Sequence, residues 1–269
     1  MLDCIPVRLP PRSVIHINFV PYDLAFDTGP IWTELRDAVG RNGLGTTTAD
    51  RLRKKYGKTA EHLATRHYLM KQAVGELKSA LVDICSQVPD QWFDVPVEDR
   101  ALKGAACERA RDRVLLAIDS FLFEFRSYLD LLAKFVHGVL VAINRGPFRT
   151  ERLASGKSVE IMGNGGKLKP YNFLLYLVDV LSIPTDWLSF LVVQRNFFTH
   201  EGAPYCAIED RLERPPVYDL IIMKTNIIDF TKADPDSFFR VSECQLVVDG
   251  IRALSAATQD YLQKALRTL

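Results

Sequence analysis

The sequence predicts a mainly α-helical chain: an antiparallel helical bundle built on a long helical hairpin, with a small β element after a late apolar helix. Three observations predict it. Two long segments repeat apolar residues in steps of three and four, a proline-bearing break lies between them, and β-branched residues gather in short stretches after residue 204.

The first 30 residues are rich in proline and include one alternating stretch, Ile15-His16-Ile17-Asn18-Phe19, which reads as a short strand. A small helix is expected from Ile31 to Val39. The segment Arg41-Asn42-Gly43-Leu44-Gly45-Thr46-Thr47-Thr48 then breaks the chain. Residues 1–58 are therefore expected to form an N-terminal appendage of unassigned role, and residues 59–269 a helical domain.

In that domain Ala60, Leu63, His67, Met70, Val74, Leu77, Leu81, Ile84 and Val88 mark one helix seam. Val114, Ile118, Phe121, Phe125, Tyr128, Leu132, Phe135, Val139 and Ala142 mark another. Val88-Pro89-Asp90 and Val95-Pro96 stop the first helix and permit a reversal, giving an antiparallel hairpin. The second helix carries a further stripe, Leu115, Leu122, Leu129, Val136 and Ile143, so it should be central and covered from a second side. The expected cover is a pair of apolar helices, Tyr171 to Leu181 and Thr185 to His200, split by Ile183-Pro184. Strands are expected at Tyr205 to Ile208, Val217 to Met223 and Ile227 to Phe230. A last helix is expected near Asp236 to Leu266, with Val247, Ile251, Leu254, Tyr261 and Ala265 on one side.

Composition narrows the function classes. A hydrophobic content of 48% with 25% charged residues is that of a globular chain and excludes a disordered one. No apolar run reaches the roughly 18 to 20 residues that span a bilayer. Met1 to Pro11 lacks the basic start and apolar core of a secretory leader, so a cytoplasmic chain is expected. With a net charge of +1, any nucleic-acid contact has to be local rather than a bulk electrostatic effect. The five cysteines, Cys4, Cys85, Cys107, Cys206 and Cys244, are widely spaced and expected to be reduced. Glu61-His62 and His67 do not give the histidine spacing of a zinc-protease helix. Gly156-Lys157-Ser158 lacks the first glycine and the preceding strand of a phosphate-binding loop. No metal and no cofactor are expected.

The sharpest chemical signal is Arg195-Asn196-Phe197-Phe198-Thr199-His200, at the end of an apolar helix. Composition alone yields roughly 0.01 to 0.02 chance matches to Arg-Asn followed three residues later by His. The stretch from Trp187 to Phe198 is apolar nearly all round, and a guanidinium there is costly unless paired or used. On a helix Asn196 and His200 fall four apart on one face, with Ser189 and Val193. The purely structural alternative pairs Arg195 with Glu124 or Asp130 and leaves His200 as a cation at a helix C-terminus.

These residues resemble the HEPN superfamily of helical-bundle ribonucleases, whose catalytic members carry Arg, a polar residue often Asn, three residues and His. Phe125-Arg126-Ser127-Tyr128-Leu129-Asp130 is similar to part of the second helix of that family. The resemblance covers roughly residues 60 to 265. It implies a homodimeric, metal-independent endoribonuclease, with Arg195 and His200 catalytic and Asn196 positioning, and a role as a toxin or defence effector. An inhibitory or activating protein partner is a further implied possibility. The rival from another class is a non-catalytic helical module that binds RNA or protein through the same face.

Other residues extend the candidate site. Arg126, Asp130 and Lys134 are spaced i, i+4, i+8, as intrahelical ion pairs would be. In the sharper reading Glu124, Arg126 and Asp130 support the motif from behind. The segment from Arg145 to Lys169 holds Arg145, Arg149, Arg152, Lys157, Lys167 and Lys169 against Glu151 and Glu160. It either guides RNA or is an ordinary solvated loop. His67, on an apolar seam, reads first as a core histidine.

Overall fold

The computed structural model describes residues 3–9, 12–18, 25–86, 97–143, 168–183, 188, 205–210, 218–223 and 238–269. Over these residues the chain is mainly helical. Strands β1 (Asp3–Leu9) and β2 (Arg12–Asn18) pair antiparallel, with Val7 opposite Val14. The helices whose bounds fall among the described residues are α1 (Gly29–Gly40), α2 (Thr46–Tyr56), α3 (Thr59–Cys85), α4 (Val97–Ala142), α5 (Pro170–Leu181) and α6 (Val241–Arg267). Between α5 and α6, β3 (Tyr205–Asp210), β4 (Tyr218–Met223) and β5 (Phe238–Arg240) form an antiparallel sheet in that order. The strand expected at 227–230 lies outside the described residues, as does the helix expected from 185 to 200 except for Leu188, which is helical and buried. Among the described residues no helix is long and apolar enough to cross a membrane.

The chain divides into two compact units. One comprises residues 1–68, 128–176 and 255–269, the other 69–127 and 177–254.

In the first unit the core gathers on α4. Phe135 is fully buried, and the rings of Phe26, Trp32 and Tyr56 meet it edge-on at centroid distances of 5.6, 5.9 and 5.8 Å. Edge-to-face pairs of this geometry add about 0.5 to 1.5 kcal/mol each beyond the area they bury. Tyr56 also packs against Gly138, where a Cβ would overlap its ring and hydroxyl. Farther along, His67 meets Tyr128 at 6.4 Å. As the partner advances from 56 to 67, the contact on α4 retreats from 138 to 128, so the segments run antiparallel. Residues 25–58 thus share this core rather than hanging from it.

Helix α2 is an addition to the sequence-based expectation, which had residues 41–48 only as a break. Its sole buried residue is Leu52, so it shows no apolar stripe to read. Helix α1 begins beside Asp27, whose Oδ1 accepts the Gly29 amide at 2.8 Å. It ends in a Schellman motif: Asn42, at φ 60°, donates to the Val39 carbonyl and Gly43 to that of Ala38. The α6 end returns to α1 through Arg267 Nε to Glu34 Oε1 (2.6 Å), Arg41 to the Leu266 carbonyl (3.1 Å), and the Asp27 amide to Gln259 (3.1 Å).

In the second unit Arg113 of α4 holds α3 by donating to Glu76 (3.0 Å), Ser79 (3.2 Å) and Asp83. Hydrogen bonding to Glu76 and then Asp83 raises its pKa further above the usual arginine range. Helix α6 starts at Val241, later than the expected Asp236, because residues 238–240 pair with β4 instead. Glu243 Oε2 accepts the Arg240 amide at 2.9 Å, half of a capping box, and Ser242 donates to the buried Asp219 at 2.6 Å. Ser182 closes α5 as Asn42 closes α1: at φ 53° it donates to the Asp179 carbonyl while Ile183 donates to that of Val178.

Two stability changes follow. Phe135→Ala removes the ring on which three others converge and should cost about 3 to 5 kcal/mol in urea unfolding. Ser182→Gly relieves a left-handed backbone that a Cβ disfavours by about 1 kcal/mol, so its melting temperature should rise by a few degrees rather than fall.

Candidate functional site

Of the residues singled out in the sequence, Arg195, Asn196 and His200 lie outside the described residues, as do Arg145, Arg149, Arg152, Lys157 and Lys167. Lys169 is exposed just before α5, and its carbonyl accepts the Phe173 amide at 3.1 Å. The three expected supporting residues all lie on α4. Glu124 is 6% exposed, whereas Arg126 and Asp130 are half-buried. Glu124 and Arg126 belong to the second compact unit and Asp130 to the first.

The burial of Glu124 follows from its neighbours in sequence. Phe121, Leu122, Phe125, Tyr128 and Leu129 are all buried, leaving α4 little polar face over these turns. Taking a carboxylate out of water there is costly unless it is paired or hydrogen-bonded. One carboxylate oxygen of Asp130 is buried as well.

In the first unit α4 and α6 share polar groups that the sequence did not single out. The Tyr128 hydroxyl and Ser255 Oγ are hydrogen-bonded to each other, and both residues are fully buried. Thr258, one turn along α6, is also fully buried, and its Oγ1 has no hydrogen-bond partner among the described residues. His67, whose ring meets that of Tyr128, is buried to the same degree, which fits the reading of a core histidine. A phosphate cannot reach an imidazole so enclosed without rearrangement. The signal for this cluster was present in the helix period: the buried face of α6 passes through Ile251, Ser255, Thr258, Leu262 and Leu266. Tyr261 and Ala265, expected on that face, are half-buried. Choosing apolar residues alone moved the stripe off the two hydroxyls.

The basicity of His137 is perturbed. Burial first, and the charge of Lys55 second, hold its pKa below the ordinary value. Its ring meets Phe173 edge-on at 5.6 Å. Cys244 is buried on α6, and its thiol pKa is pushed well up, by burial first and then by Glu243 and Asp219. It is a core group and not a reactive thiolate. Among the described residues no three His, Cys, Asp or Glu side chains group as metal ligands. Comparison with protein-family models, curated proteins and solved structures finds no match to this chain.

The Tyr128 hydroxyl gives a pH signature. Burial raises its pKa well above the usual value near 10, and the Ser255 hydrogen bond lowers it by a lesser amount. A raised folded-state pKa means that folding favours the neutral phenol. The contribution is fully present below about pH 10 and is lost as the pH climbs toward the folded value. Wild type should therefore lose more stability than Tyr128→Phe between pH 8 and 11 in urea titrations. At pH 8 the variant should be the weaker by about 1 kcal/mol, through the hydrogen bond it lacks.

Proposed function

We propose that this chain is a metal-independent endoribonuclease of HEPN type, with Arg195 and His200 as catalytic residues and Asn196 as the residue that positions them. The observation that carries the reading is the Arg-Asn-x-x-x-His run, a complete match to the HEPN pattern in a chain that is mainly helical. The long α4, with its Phe125-to-Asp130 segment, supports it, since a central apolar helix is what the motif helix of such a bundle packs on.

The chemistry suits the residue types. An imidazole near neutral pKa takes the proton of a ribose 2′-hydroxyl, and the 2′-oxygen attacks the adjacent phosphorus. The bond from phosphorus to the 5′-oxygen breaks, and a protonated imidazole returns a proton to that oxygen. The products are a 2′,3′-cyclic phosphate and a 5′-hydroxyl end. A guanidinium holding two phosphate oxygens stabilises the charge that develops between these steps. One motif supplies one histidine, so a histidine acid and a histidine base together require a second copy of the chain in a homodimer. Glu124, Arg126 and Asp130 act from behind the motif in this reading. A cytoplasmic toxin or defence effector, held by an inhibitory partner or released by an activating one, is the setting it fits.

The test is cleavage of a labelled structured RNA in excess EDTA. Wild type should produce cyclic-phosphate ends, and folded His200→Ala and Arg195→Ala should each cut at least a hundredfold more slowly. Equal rates in wild type and both variants would remove the motif from the chemistry and leave a binding module.

A further inference from the structure

Outside the residues used above, the strongest feature of the first compact unit is a concentration of positive charge. Arg51, Arg53, Lys54 and Lys55 lie on α2 and Lys58 just past its end, and all five are exposed. No acidic residue falls between positions 51 and 60. Arg53, Lys54 and Lys55 occupy the last turn of α2, where the helix dipole favours cations. That accounts for three of the five.

Two further elements of the same unit add cations. Tyr56 packs on α4 at Gly138 and Phe135, and Lys55 Nζ lies 5.1 Å from the Tyr56 ring centroid, so the basic end of α2 borders α4. Lys55 is near enough to His137 for its charge to disfavour protonation there. On α4 the exposed Lys134 is one turn before His137. Phe173, in contact with His137, leads back one turn to the exposed Lys169. The line Lys55, Tyr56, His137, Phe173 thus joins three elements and is flanked by lysines from each. Among the described residues none of the seven cations makes an ion pair, whereas Arg36, Arg113, Arg240, Lys264 and Arg267 all do.

We propose that this surface, formed by α2 with Lys134 of α4 and Lys169 beside α5, binds the phosphate backbone of RNA. Exposed, unpaired arginine and lysine spread over several turns suit a chain of phosphates better than a single anion. A membrane-binding helix would carry large apolar residues on its outer face, but the sole large aliphatic residue of α2, Leu52, is buried. The choice of RNA among polyanions rests on the ribonuclease reading; the surface itself does not.

The test is fluorescence anisotropy of a labelled single-stranded RNA 20-mer with the full chain, across a salt series. The variants are Arg53→Gln/Lys54→Gln/Lys55→Gln on α2 and, separately, Lys134→Gln/Lys169→Gln. The α2 variant should bind roughly ten- to a hundredfold more weakly, and its salt slope should be shallower by about two. The second variant leaves α2 untouched and should weaken binding in the same sense, which separates lost contacts from a misfolded α2. Unchanged affinity in both variants, or no RNA binding by wild type, overturns the proposal. So does tighter wild-type binding to phosphatidylserine vesicles or polyglutamate than to RNA. Cleavage assays on the same proteins separate the two readings. Weakened binding beside an inert wild type upholds the surface and sinks the nuclease. Cleavage and binding equal in wild type and variants do the reverse.

Discussion

Between Phe121 and Leu140 helix α4 is buried on all but one stripe, which carries Arg126, Asp130, Lys134 and His137. Phe121, Leu122, Phe125, Tyr128, Leu129, Leu132, Ala133, Phe135, Val136, Val139 and Leu140 are all buried, so cover has to arrive from more than one side. The need for that cover organises each compact unit. In the first, Phe26, Trp32 and Tyr56 close over Phe135, and Tyr56 comes close enough that position 138 accommodates only glycine without a shift. In the second, Arg113 fixes α4 to α3 by hydrogen bonds to three side chains at the surface. Such an exposed network adds little stability by itself but selects one register among those the apolar seam would accept.

What was legible in the sequence follows from how each element earns its burial. The seams of α3 and α4 could be read because nearly every third or fourth residue is large and apolar, and those residues, the half-buried Leu81 apart, are buried from Leu63 to Ile84 and from Val114 to Val139. Helix α2 could not, since one buried leucine makes no period. The start of α6 was misplaced for a different reason: residues 238–240 find backbone partners in β4, a non-local choice that no local pattern reveals. The buried face of α6 drifted because Ser255 and Thr258 are polar, although a hydroxyl matched to Tyr128 packs as readily as a methyl group. For the candidate site, the sequence supplied a motif that lies outside the described residues, and the structure shows only where the three α4 residues expected behind it lie, with Glu124 enclosed and Arg126 and Asp130 half-buried. The basic run on α2 was equally visible as composition. It carries meaning only once Tyr56 is seen to join it to α4.

Polar groups in this chain are placed by two different rules. Inside the first unit, Tyr128 and Ser255 answer each other across two helices, and the Tyr128 ring meets that of His67, so buried polar groups lie within the apolar core. Buried pairs of this kind tolerate few alternative packings, because any slip strands a desolvated hydroxyl. At the surface, by contrast, positive charge on α2 has no carboxylate partner among the described residues, although acidic residues nearly equal basic ones over the chain, 33 against 34. The balance is global and the imbalance local, which is how a nearly neutral protein keeps a strongly charged face.

The contacts that close the first unit join residues far apart in the chain. The amide of Asp27 waits for Gln259, 232 positions later, and Glu34 waits for Arg267, 233 positions later. At the roughly 5 to 20 residues per second of a ribosome, α1 emerges on the order of ten to fifty seconds before its partners on α6 exist. During that interval its end of the core lacks those partners, and the nascent chain needs either shielding by a chaperone or a provisional packing that α6 later displaces. The order of synthesis therefore sets the moment at which this unit can first be complete, and that moment comes only when the last helix is free.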